Sequence, residues 1–103
     1  MSEDELTKLV KTLKALANPT RLRMIASLNE EPKHAYALAK EMGLSYPLTH
    51  LHLKGLRKLG LIEEIAPETR TEGRPPSKTY SPTEFELTLN PSKIMETVKE
   101  AKE

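Results

Sequence analysis

The sequence has no cysteine and no tryptophan, one phenylalanine and, at Asp4, a single aspartate among 103 residues. Without thiols there is no disulfide framework, thiolate metal site, cysteine nucleophile or thiol redox switch. No apolar run approaches the ~20 residues of a membrane-crossing helix. The first residues, Met1-Ser2-Glu3-Asp4-Glu5, are acidic, which is not the pattern of a secretory leader. A soluble, cytoplasmic protein that makes no use of membranes is therefore expected. Aromatic residues make up 4 %, so the core of a single 1–103 domain should be thin, and a second copy would help to complete it. An excess of one charge is also missing: 16 basic side chains face 15 acidic ones. No glycine-rich phosphate loop and no metal-ligand cluster are present, and no spacing pairs a nucleophile with a base. The chain does not read as an enzyme, and no cofactor or metal site is expected.

Glycine is absent from the first 42 residues, which favours helix. A capping-box spacing at Ser2-Glu3-Asp4-Glu5 opens a first helix over about 3–16, with Leu6, Leu9, Val10, Leu13 and Leu16 at helical intervals. Asn18-Pro19 opens a second helix carrying Leu22, Ile25, Ala26 and Leu28. A third runs from about His34 to Met42, with Tyr36, Leu38, Ala39 and Met42 as its apolar set and Gly43 as its left-handed stop. A fourth begins at the Ser45 cap and closes at Gly60. The pattern then changes to strand over 61–65, and an exposed loop with three prolines follows at 67–78. A second strand is expected over Thr79–Leu89, where Phe85, Leu87 and Leu89 alternate. Asn90-Pro91 opens a last helix over about 91–102, with Ile94, Met95 and Val98. The expected fold is mainly α with a small β-hairpin, in the order α-α-α-α-β-β-α.

Two helices joined by a short glycine-containing turn form a helix-turn-helix, whose second helix can enter a DNA major groove. Sorted by face, Thr49, His52, Leu53, Leu56 and Gly60 point inward, whereas Pro47, His50, Leu51, Lys54 and Lys58 point outward. No acid occurs across residues 42–62, a local bias that the near-neutral total conceals. The DNA-contacting set is therefore Ser45, Tyr46, Pro47, His50, Leu51, Lys54 and Lys58 from helix 46–59. Arg70, Arg74 and Lys78 from the 67–78 loop join it as a flanking wing. His50 and His52 lie on different faces and cannot chelate together. Arg57 reads as a structural ion-pair residue, and Arg21 and Arg23 as surface residues.

The stretch Leu13-Lys14-Ala15-Leu16-Ala17-Asn18-Pro19-Thr20-Arg21-Leu22-Arg23 resembles the opening signature of ArsR-type winged-helix repressors. Residues 44–56 resemble their recognition helix, and Leu59-Gly60-Leu61-Ile62 the step into their wing. His34-Ala35-Tyr36-Ala37-Leu38-Ala39-Lys40 is similar to PadR-type regulators. The ArsR resemblance implies a winged helix-turn-helix homodimer that binds double-stranded DNA at a near-palindromic operator, with the terminal helices forming the dimer. The expected seam is Leu6, Leu9, Leu13, Ile94, Met95 and Val98, with Val10 and Leu16 turned to the home core. The cysteines that metal-sensing members carry in helix three, and the histidines of their last helix, are absent, so the resemblance carries DNA binding without a metal sensor, and no effector is named. A nonspecific architectural DNA binder and a winged-helix protein-interaction module are the alternatives.

Overall fold

The computed structural model describes residues 4–65 and 78–101. In chain order the elements are α1 (Glu5–Leu16), α2 (Pro19–Glu30), β1 (Lys33–His34), α3 (Ala35–Met42), α4 (Tyr46–Lys58), β2 (Ile62–Ile65), β3 (Thr79–Pro82) and α5 (Pro91–Ala101).

Each helix starts where a side chain can satisfy its orphan N–H groups. Ser2 of the expected capping box lies outside the described residues; Asp4 caps α1, its carboxylate accepting from the Thr7 N–H at 2.7 Å. That bond also holds the Asp4 carboxyl below its ordinary range. Asn18 accepts from the Thr20 and Arg21 N–H groups, with Pro19 in the first turn where its missing donor costs nothing. His34 Nδ1 accepts from the Ala37 N–H at 3.1 Å and opens α3. Gly43, at φ 69°, ends α3, and its N–H and that of Leu44 return to the Lys40 and Ala39 carbonyls.

The core holds Met24, Leu28, Leu38, Leu53, Leu56, Leu61, Ile62 and Tyr80. Helix α2 presents Met24, Ser27 and Leu28 to it. Leu22, expected in the apolar stripe, is 51 % exposed. Tyr36 is exposed as well, at 67 %, so the buried face of α3 is Ala35, Leu38 and Ala39. Leu16 packs against the core, but Val10 does not, and stands exposed. Gly60 lies in the exposed left-handed turn after α4, outside the buried face assigned to it.

Among the described residues the sheet has three strands rather than two, in the order β1-β3-β2, antiparallel throughout. Strand β1 is only two residues long, too short for any alternation to announce it. Lys33 pairs with Tyr80 and His34 with Thr79, which ties the start of α3 to the wing root. The second expected strand is cut short: β3 ends at Pro82 instead of continuing to Leu89. In the register Ile62↔Pro82 the partner strand has run out. Thr83 makes the last ties, N–H to the Leu61 carbonyl and hydroxyl to the Gly60 carbonyl. Beyond it the chain has alternation without a ladder partner, and Phe85, Leu87 and Leu89 are left exposed.

Helix α1 packs against α5 and also against α2, and it reaches the main core through Leu16. The Cα radius of gyration, 16.4 Å, exceeds the ~13 Å expected of a compact chain of this size.

Candidate nucleic-acid interface

Helix α4 is positioned by its inner face and its cap. Thr49, Leu53 and Leu56 are fully buried. The Ser45 hydroxyl accepts from the Leu48 N–H at 3.2 Å, and Pro47 occupies the first turn. With one face locked into the core, the opposite face is fixed in direction. Tyr46, Pro47, His50, Leu51, Lys54 and Lys58 are all exposed on that side. Among the described residues neither Lys54 nor Lys58 has a carboxylate partner. Arg57, in contrast, is spoken for: its guanidinium meets Glu64 of β2 at 3.1 Å.

At the N-terminal end of α4 the rings of Tyr46 and His50 stack, centroids 5.9 Å apart and planes 10° from parallel. They line a cavity of about 540 Å³ with His34, Tyr36, Lys78 and Tyr80. The sequence reading missed His34 and Tyr36 as members of this surface. Their link to α4 runs through the β1–β3 pairing, which nothing local signals. Burial, together with the nearby Glu64 charge, pushes the Tyr80 hydroxyl above its ordinary range.

Lys78 stands at the wing root, 3.6 Å from Glu64 with its side chain 72 % exposed. It shares that carboxylate with Arg57 and remains open to solvent. Arg70 and Arg74, the wing-tip candidates, lie outside the described residues. No group of three metal-ligating side chains occurs among the described residues, and no helix there is long and apolar enough to cross a membrane.

Behind α4 lies a contact the sequence did not suggest. Arg21, read as a surface residue, is half-buried. Its Nε–H donates to His52 Nδ1 at 3.1 Å. Its guanidinium rests on Gly55, where a Cβ would come within 3.3 Å of Nη2. Burial, and then the Arg21 charge, lower the His52 pKa, which keeps the imidazole neutral and its Nδ1 available as acceptor.

An amphipathic second helix seated by α3, with an antiparallel wing beside it, is the arrangement that reads duplex DNA. Residues 18–64, which hold α2 through β2, match the model of the bacterial regulatory protein arsR family. An HTH-type transcriptional regulator of Methanocaldococcus jannaschii is 35 % identical over 86 residues, 84 % of this chain and 87 % of the relative. The chain belongs to the ArsR family of winged helix-turn-helix transcriptional regulators. It is thus a DNA-binding regulator and not an enzyme. Among solved structures, NolR of Sinorhizobium fredii is similar with TM-score 0.62 and 29 % identity, over 94 % of this chain and 86 % of that one. The homodimeric winged helix-turn-helix DNA-binding domain Mb0332 of Mycobacterium bovis is similar with TM-score 0.61 and 26 % identity, over 80 % of this chain and 73 % of that one.

Proposed function

We propose that this ArsR-family protein is a sequence-specific repressor that binds a near-palindromic operator as a homodimer. The observation that carries the reading is the outward face of α4, exposed, free of acid and locked in direction by Thr49, Leu53 and Leu56. In this reading Lys54 and Lys58 meet phosphates, and Ser45 supports the helix N-terminus at the duplex. Tyr46, Pro47, His50 and Leu51 meet base edges and thymine methyls. Arg70, Arg74 and Lys78 serve the wing. The terminal helices, about 3–16 and 91–102, form the dimer within a single 1–103 domain. The Mycobacterium bovis domain is homodimeric, which supports the same assembly here. Two copies would meet half-sites about 34 Å apart or a multiple of it. Occlusion of polymerase is the simplest mode of action for a chain of this size, and the cytoplasmic nucleoid is where it would act.

The test is retention of sheared genomic duplex by the purified protein at about 150 mM salt, where nonspecific contacts are screened, followed by sequencing. A shared near-palindrome is the expected result. Retention without a shared sequence would replace the proposal with architectural binding. One observation favours a protein-interaction module instead: Leu48 and Leu51 stand 40 % and 63 % exposed on α4. No retention at any salt would move the assignment there.

A further inference from the structure

A cavity of about 420 Å³ opens where α1, α2 and the C-terminal half of α4 meet. Four of the side chains that line it are cationic: Lys11, Lys14, Arg21 and Lys58. The rest are small or apolar, and no acid is among them. In a chain whose charges nearly cancel, this is a pronounced segregation.

Arg21 is the unusual member. It is half-buried, and among the described residues no carboxylate pairs with it. Among the described residues its one side-chain hydrogen bond runs from Nε–H to His52 Nδ1. A guanidinium carries five N–H donors, so its terminal nitrogens keep theirs. A partly desolvated cation without a counter-ion is costly, and a planar fork of donors matches phosphate oxygens. The fork is also held in place. His52 fixes Nε, and Gly55 leaves space against which the guanidinium lies, 3.3–3.8 Å from where a Cβ would stand. Lys14 and Lys58 flank it from α1 and α4, and neither has an acidic partner among the described residues.

We propose that this cavity is a binding site for an anionic phosphate group, gripped by Arg21 and flanked by Lys14 and Lys58. Two sources share that chemistry, a soluble phosphorylated compound and a phosphate of the DNA backbone. Gly55 and Lys58 both belong to α4, so an occupant touches the flank of the recognition helix, at a lysine that the proposed function also gives to DNA phosphates. A soluble occupant would neutralise positive potential next to the duplex and weaken DNA binding, and by linkage DNA would weaken its own binding by the same factor.

Inorganic tripolyphosphate titrated calorimetrically into the full chain, at constant ionic strength, tests the site without DNA. The expected result is saturable binding at one site per chain, at least tenfold weaker in Arg21→Gln and at least threefold weaker in Lys14→Gln. Lys14 is exposed on α1, so its variant preserves the test if Arg21→Gln does not fold. A second arm measures the salt dependence of duplex binding by Lys14→Gln. Tripolyphosphate binding that the variants lose supports the site with a soluble source. Absence of that binding, with a salt slope reduced by about one, supports it with the DNA backbone as source. Tripolyphosphate binding unchanged in both variants, or neither signal, overturns it. Because the first arm contains no DNA, its failure is separate from a failure of operator binding.

Discussion

Thr49 is fully buried on the inner face of α4, and among the described residues its hydroxyl has no hydrogen-bond partner. Its backbone N–H makes the ordinary helical bond to the Ser45 carbonyl; only the side-chain oxygen is orphaned. A lone buried hydroxyl costs about 1–3 kcal/mol. Thr49→Val, which keeps the branched shape, should therefore raise the urea midpoint by an amount worth about 1 kcal/mol. A lower midpoint would mean that the hydroxyl has a partner in solution. His52 sets a pH dependence. Its pKa lies below the ordinary value near 6.5, chiefly through burial and then through the Arg21 charge. The unfolded chain thus takes up this proton more readily than the folded one. The stability that neutral His52 confers is complete above about pH 6.5 and is lost as pH falls from there through the folded pKa. The urea midpoint should drop between about pH 7.5 and pH 5.5, and His52→Gln should make the drop smaller. An undiminished drop in the variant would remove His52 as its source.

At the level of elements, the helix-turn-helix owes its geometry to caps on both sides of the turn. Gly43 ends α3 in the left-handed region and Ser45 starts α4 two residues later. With α4 so held, Lys54 projects outward with no carboxylate partner among the described residues. Lys54→Ala should weaken binding to every duplex alike and lower the slope of log K against log salt by about one contact. An unchanged slope would take Lys54 off the phosphate. The sheet shows where local pattern misleads. Residues 83–89 alternate as a strand should, yet β3 stops at Pro82 because β2 offers no further partner. Strand β1 reverses the lesson. Two residues without any pattern join the sheet because Thr79 and Tyr80 present an open edge to them.

Across the whole molecule, burial is uneven. The central elements α2, α3, α4 and the sheet hold nearly all of the core. Helix α1 buries only Ala15, and α5 buries none of its residues. Leu13, Ile94 and Met95 stand 38 %, 45 % and 57 % exposed, while Leu6, Leu9 and Val98 are half-buried. Large apolar side chains left exposed on the paired helices α1 and α5 are what a second copy would cover. Val10, Phe85, Leu87 and Leu89 enlarge that surface beyond the seam read from the sequence. Met95→Lys combined with Leu13→Lys should shift the protein to monomer in sedimentation at micromolar concentration. Operator affinity should fall with it, since two half-sites would no longer be engaged together. A variant that still sediments as a dimer would place the seam elsewhere.

The one-dimensional order of caps, glycines and apolar intervals determined the five helices, the turn between α3 and α4 and the outward set on α4. Those features depend on neighbours within about four residues, which the chain itself supplies. The ArsR resemblance followed from the same local motifs. The seat of Arg21 against His52 and Gly55, the joining of β1 to β3, the exposure of Tyr36 and the early end of β3 were decided only in the tertiary structure. The Arg21 seat and the β1–β3 pairing depend on residues more than thirty positions apart, and the end of β3 on whether a partner strand continues, and no local periodicity records either.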